Sequence, residues 1–276
     1  DPVKYPQFAK QFSQNGKDVR EGSIVVKSGS KFKLIDPSDL VNYGYNQSGQ
    51  VSVDSLAIEQ KITSAIINVT SSKNPVLLTL KGHEEGDLPS QVTSQLKDEN
   101  YTVKDVNLVL KDSELTEGAA LLINSPKRDI SSDEADKIKN FLSKGGRAIF
   151  LMDITQNDLP NFQSLLNSYG VGIKRMMVVE GDPNSSTNYP IYLVPEMGTQ
   201  EIVNPLKSDN MPVLIPGAQA VEIQKLKKSS IDIEPLLTTS QNSWGKASSN
   251  PQTVEKEQGD YAGPFNIAVA VTDKSQ

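Results

Sequence analysis

Apolar residues in the middle of this chain fall into short unbroken runs separated by amphipathic stretches. Pro75-Val76-Leu77-Leu78-Thr79-Leu80 is apolar almost throughout and bounded by turn residues. A strand covered on both faces reads this way, because neither side of its pleat meets water. Gly82 to Asp87 form a loop, and Leu88, Val92 and Leu96 then recur at helical spacing, with Pro89 tolerated in the first turn. Val103 to Leu110, Ala119 to Ile123 and Arg147 to Asp153 supply the second, third and fourth strands. Before the fourth comes the best-signed helix of the chain. Ser131 and Glu134 have capping-box spacing, Ala135, Ile138, Phe141 and Leu142 share one face, and Gly145-Gly146 stops the helix. Asp158 is placed to cap a further helix through Tyr169, and Met176 to Val179 reads as another short strand. Strands alternating with helices form right-handed βαβ units, so the pattern predicts a mainly parallel sheet in an α/β, flavodoxin-like three-layer sandwich.

The flanks are less regular. Residues 1–45 read as a partial N-terminal segment. Gly22 to Val26 and Lys31 to Ile35 alternate around Ser28-Gly29-Ser30, which predicts a β-hairpin. Residues 46–74 read as a linker, with a turn-rich stretch from Tyr43 to Gly49, followed by an amphipathic helix. Its apolar face is Ile58, Ile62, Ala65, Ile66 and Val69, with Asp54 or Ser55 available as a cap. Residues 75–276 form the α/β core domain. Its C-terminal part has strand candidates at Ile191 to Leu193, Pro212 to Ile215, Ala220 to Ile223 and Asn266 to Val271, and a polar, mobile loop at about 242–260.

Composition narrows the chemistry. Of 276 residues only 36% are hydrophobic, so much of the chain is surface or loop. The net charge of −6 and the lack of a basic stripe argue against nucleic-acid binding, and the cluster Lys225 to Lys228 reads as a solvated strand end. With no cysteine there is no disulfide, thiolate metal site or cysteine nucleophile. One histidine, His83, rules out a multi-histidine zinc site. No apolar run approaches the ~20 residues of a membrane-spanning helix. Asp1 and Gln276 read as cut points.

Gly82-His83-Glu84-Glu85-Gly86 sits at the carboxyl end of a parallel strand, the edge where open α/β sheets place their ligands. Histidine and glutamate are also the residue types of acid–base chemistry. The alternative is a tight turn permitted by two glycines, with Glu84 and Glu85 favoured by a helix N-terminus. Asn124, Ser125 and Asp153 end the third and fourth strands and belong to the same edge. A Ser125–His83–Asp153 hydrolase has the residue types but no Gly-x-Ser-x-Gly elbow. A metal set of His83, Glu84 or Glu85, and Asp153 is a further option. No phosphate-binding loop occurs and no cofactor is implied. The sequons at Asn46, Asn68 and Asn184 carry no weight, and Trp244 reads as a packing residue.

A series of short motifs runs along most of the chain. It comprises Glu59 with Thr63-Ser64-Ala65-Ile66, then Gly82-His83-Glu84, then Leu236-Leu237-Thr238-Thr239-Ser240 with Ser243-Trp244, then Gly263-Pro264-Phe265. In order and spacing it resembles the Gldg-type auxiliary components of bacterial ABC transporters, a family that includes the gliding-motility-associated auxiliary protein. The resemblance implies a bacterial protein anchored in the membrane by segments outside residues 1–276. Its soluble region would face the extracytoplasmic side, with ABC permease and ATPase subunits as partners and an envelope glycan or peptide as a further ligand. It also implies a core similar to class I glutamine-amidotransferase-like and intraflagellar-transport-related domains, preceded by a thioredoxin-like half-domain. Amidotransferase chemistry needs a cysteine and does not carry over. The expected function is therefore a non-catalytic binding module. A hydrolase or carbohydrate-active enzyme using the edge around His83 is the alternative.

Overall fold

The computed structural model describes residues 1–14, 16–45, 49–110, 113–115, 119–155, 157–247 and 251–275. The Asn46 sequon and part of the 43–49 and 242–260 stretches lie outside them. The chain divides into two compact units, Asp1–Leu77 with Leu88–Lys104, and Leu78–Asp87 with Asp105–Gln276.

In the first unit a one-turn helix α1 (Pro6–Lys10) precedes the hairpin of β1 (Ile24–Ser28) and β2 (Lys31–Ile35), whose register pairs Ile24 with Ile35. A second hairpin pairs β3 (Val41–Tyr45), at the end of the expected N-terminal segment, with β4 (Val51–Leu56), in the expected linker. β4 is exposed at all but one position, and the alternation in Val41 to Tyr45 and Val51 to Asp54 is a strand pattern that the turn residues between them obscure. Helix α2 (Ile58–Thr70) buries Ser64, Ala65 and Val69. Its N-cap is Ala57, with no side-chain cap, so neither Asp54 nor Ser55 serves as expected. Ser64 Oγ donates to the Asp98 carbonyl, and Asn100 Nδ2 donates to Ser64 O at 2.9 Å and Oγ at 3.0 Å. These bonds tie α2 to the end of α3 (Ser90–Asp98).

Strands β5 (Val76–Leu80) and β6 (Thr102–Val106) carry the chain into the second unit. With β7 (Ala120–Asn124) and β8 (Arg147–Leu151) they form a parallel sheet in the order β6-β5-β7-β8. β5 and β7 are buried at nearly every position, as their unbroken apolar runs require. Between β7 and β8 lies α4 (Ser132–Ser143). The capping box closes as expected: Ser131 Oγ accepts from Glu134 N, and the Glu134 carboxylate accepts from Ser131 N at 2.9 Å. The next helix, α5 (Pro160–Asn167), is capped differently from expectation. Asp129, not Asp158, accepts from Asn161 N and Phe162 N at 2.8 and 3.1 Å, while Asp158 pairs with Arg175.

The remainder is antiparallel, so the fold is mixed α/β rather than mainly parallel. β9 (Val171–Lys174), β10 (Met177–Val179), β11 (Tyr192–Leu193) and β12 (Glu196–Met197) lead to the short α6 (Asn204–Ser208). There follow β13 (Ile215–Pro216), β14 (Ala220–Ile223), β15 (Ile231–Thr238), β16 (Trp244–Lys246), β17 (Tyr261–Ala262) and β18 (Asn266–Asp273). One sheet runs β12-β15-β18-β14-β9, a second β10-β16-β17. β15 is not legible as a strand, because Pro235 interrupts its pattern and a register shift follows there. β16 lies inside the stretch expected to be a mobile polar loop. Lys246, 3% exposed, donates to Glu255 O, Glu257 Oε2 and Asp260 Oδ2 at 2.8, 2.7 and 2.8 Å, and the Trp244 indole donates to Val254 O. Burial opposes the lysine's charge, but the Asp260 and Glu257 bonds hold its pKa above the ordinary value, and Lys246 holds Asp260 below the usual carboxylate range. Lys246→Ala is expected to loosen the segment around Glu255 and Glu257 and to speed cleavage after them by glutamyl endopeptidase, which limited proteolysis with mass mapping measures against wild type.

Candidate functional site

The loop after β5 begins with Gly82 at φ +122°, a conformation that only glycine adopts freely, and Glu84 follows at φ +60°. This reversal turns the His83 ring inward, where the residue is 5% exposed. His83 Nδ1 lies 3.0 Å from Glu85 Oε1, and Nε2 lies 3.3 Å from Glu134 Oε2 and 3.2 Å from Oε1. His83 N also donates to Glu85 Oε2 at 2.8 Å. The Phe162 ring, fully buried, meets the imidazole edge-on at 6.5 Å. A carboxylate at each ring nitrogen is satisfied only when both nitrogens carry hydrogens. With both glutamates ionised, this geometry favours the imidazolium form of His83.

The electrostatics agree. The Glu85 hydrogen bond outweighs burial and, with the negative charge of Glu134, raises the His83 pKa above its ordinary value. Burial pushes Glu85 up, but the bonds from the His83 ring and N–H more than offset it and leave Glu85 below its ordinary value. Glu134 is also the capping residue of α4 and accepts from Ser131 Oγ at 2.9 Å. One carboxylate thus joins the helix start to the histidine loop. The segment before α4 continues the clamp: Lys127 N and Arg128 N donate to His83 O at 2.9 and 3.1 Å, and the Arg128 guanidinium donates to Gly82 O at 3.1 Å.

The other candidates occupy the same edge without joining the His83 cluster. Asn124 Nδ2 donates to Gly86 O at 2.8 Å, and Gly86 N returns a bond to Asn124 O. Ser125 has φ +50° and donates its N–H to Leu151 O. Glu84 pairs with Arg128 at 3.1 Å, both side chains 61% exposed, and Asp153 pairs with Lys127 at 2.8 Å. The imidazole bonds go to Glu85 and Glu134, so the Ser125–His83–Asp153 triad is not assembled. Nor is the metal set, since Glu84 and Asp153 are turned toward cations. Among the described residues no group of three or more His, Cys, Asp or Glu side chains is arranged to hold a metal ion.

Sequence reasoning missed Glu134, Lys127 and Arg128. Glu134 was read only as a cap, and its 51-residue separation from His83 leaves no local trace. The C-terminal motif residues form a second buried network instead of a site. Glu180, 2% exposed, accepts from Ser240 N at 3.0 Å and Ser240 Oγ at 2.6 Å. Thr239 Oγ1 accepts from Phe265 N at 2.8 Å and lies 2.7 Å from Ser243 Oγ, while Gly263 N donates to Ser243 O. A side chain on Gly263 would meet Ser243 Oγ at 2.0 Å, so the close approach requires glycine.

Fold and site define a mixed α/β protein whose one histidine is locked in a buried ionic cluster. Residues 72–276 match the family described as an ABC-type uncharacterized transport system, and the chain belongs to that family of ABC transporter auxiliary components. The family implies association with an ABC transporter and with the membrane. Among the described residues no helix is long and apolar enough to cross a membrane. No curated protein matches the chain. A solved structure titled mmIFT52 N-terminal domain is similar over 60% of this chain and 78% of its own, at 16% identity and a TM-score of 0.46. That likeness is too distant to define a shared architecture.

Two outcomes follow from the cluster. Glu134→Ala leaves His83 with one buried partner and removes the reciprocal half of the α4 capping box, and is expected to cost about 3 kcal/mol in denaturant unfolding, the low end for breaking a buried ionic pair. The His83 contribution to stability is complete below pH ~6.5 and is lost as pH rises through its elevated folded pKa. His83→Gln should flatten that part of the stability–pH curve, and an unchanged slope would contradict the assignment.

Proposed function

We propose that this chain is a non-catalytic recognition module of an ABC-type transport system, held on the extracytoplasmic side of the bacterial membrane. The observation that carries this reading is the state of His83. Both ring nitrogens are occupied by carboxylates and the residue is buried, so no acid–base group is offered to a substrate at the sheet's carboxyl edge. What that edge presents is a set of exposed polar groups held by the clamp: Glu84, Arg128, Lys127 and Asp153. In chain order the sheet's strands run 2-1-3-4, the order that flavodoxin-like sheets use before their fifth strand. The carboxyl ends of such sheets are where ligands and partners bind. The permease and ATPase subunits are the proposed partners, with an envelope glycan or peptide as a further ligand. The N-terminal hairpin of residues 1–45 belongs in this reading to a thioredoxin-like segment without redox residues.

Affinity purification of the intact protein from membranes in several mild detergents tests the reading. The expected result is co-recovery of an ABC permease and ATPase. Arg128→Glu reverses an exposed charge and should reduce that recovery roughly ten-fold, about 1.4 kcal/mol, whereas Arg128→Gln, which also loses the Glu84 ion pair but adds no negative charge, should reduce it less. Recovery of the protein alone in every detergent would overturn the proposal. An undiminished complex with Arg128→Glu would remove the carboxyl edge from it.

A further inference from the structure

The two carboxylates at the His83 ring come from different parts of the chain. Glu85 belongs to the same loop, lies 3.0 Å from Nδ1 and also accepts from His83 N at 2.8 Å. Glu134 belongs to α4. It lies 3.2 and 3.3 Å from Nε2, and its Oε2 already accepts from Ser131 N and Oγ, each at 2.9 Å. Its other oxygen, Oε1, is buried and makes no hydrogen bond, so the charge of the facing imidazolium is what compensates it. The other charged groups about the ring are engaged elsewhere. Glu84 pairs with Arg128, whose guanidinium also donates to Gly82 O, Lys127 pairs with Asp153, and Lys81 pairs with Asp87. Asp129 caps α5, which meets the ring through Phe162.

A neutral imidazole carries a single N–H. The shorter contact and the shared loop keep that hydrogen on Nδ1, where Glu85 accepts it. Nε2 then presents a lone pair to the Glu134 carboxylate. Two acceptors face each other in a buried site, and an attraction becomes a repulsion. Separation of loop 82–86 from the start of α4 relieves it, because Glu134 moves toward solvent with its helix turn while Glu85 stays with the ring. The remaining ties across this junction are few. Lys127 N and Arg128 N donate to His83 O, and the Glu84–Arg128 pair lies in solvent.

We infer that the His83–Glu134 contact is a pH-operated latch. Loss of the ring proton releases loop 82–86 from the start of α4, and the carboxyl edge loses its fixed outline. As a control on recognition the latch rests on the proposed function, but it is tested on residues 1–276 without a partner, so either can fail without the other. The closed junction binds the ring proton more tightly than the opened one, where Glu85 alone faces the ring. The junction is therefore fully held at low pH and is lost as pH rises through the folded pKa of His83. Hydrogen exchange at the Lys127 and Arg128 amides, corrected for the intrinsic rate, reads the opening. Between the pKa of the opened form and that of the closed form, opening should rise about ten-fold per pH unit, and it should level off above. Amides of the β15–β18 ladder serve as the control and should not share this rise. Two variants bracket the wild type. In Glu134→Gln the amide oxygen keeps the Ser131 donors and the amide nitrogen donates to the neutral Nε2, so the junction should stay protected across the range. Glu134→Ala should be weakly protected across the same range, and wild type should pass from the first behaviour to the second. Exchange in wild type that does not change with pH, a rise of equal size in Glu134→Gln, or a rise shared by the β15–β18 amides would overturn the inference.

Discussion

The candidate site is organised by one costly placement, a charged imidazole taken out of water between two carboxylates. An ion moved into the interior loses solvation worth several kcal/mol, and only close, well-directed partners offset that loss. His83 has them on both sides, and each partner has further work. Glu85 also accepts from the His83 backbone, and Glu134 also caps α4. The loop after β5, the segment before α4 and the start of that helix therefore cannot move separately. The strand ends of the parallel sheet acquire a fixed outline, and the exposed pairs Glu84–Arg128 and Lys127–Asp153 are displayed from a rigid frame.

The same device recurs through the chain. With 36% hydrophobic residues, apolar burial alone leaves long connections unsupported. Polar networks fill that role. Ser64 and Asn100 tie α2 to the segment after α3, Glu180 and Ser240 join β10 to the turn after β15, and Lys246 gathers Glu257 and Asp260. Two of these residues, Ser64 and Ser240, belong to the motifs by which the chain resembles its family. Their role in this structure is to satisfy buried backbone and side-chain groups, which must be paired wherever water is excluded.

Legibility in the sequence followed the kind of physics involved. Elements fixed by local pattern were readable: the unbroken runs of β5 and β7, the hairpin of β1 and β2, the capping box of α4. Elements fixed by distant partners were not. β15 is broken by Pro235 and held by its ladder to β18, and α5 is capped by Asp129 from 32 residues away. The site divided in the same way. The Gly-His-Glu-Glu loop and its location at the strand end were visible, because Gly82 and the β5 run are local signals. The locked state of the histidine was not, because it depends on Glu134 arriving from the next helix.

A chain with one histidine allows the central claim to be tested without assignment ambiguity. Titration of the His83 ring protons by NMR in the intact protein measures the clamp directly. A folded-state pKa above the ordinary histidine value of about 6.5, moving downward in Glu85→Gln and in Glu134→Gln, is the expected result. A pKa at or below that value, unmoved by either substitution, would mean that burial rather than the two carboxylates governs His83, and the clamp would not exist as described.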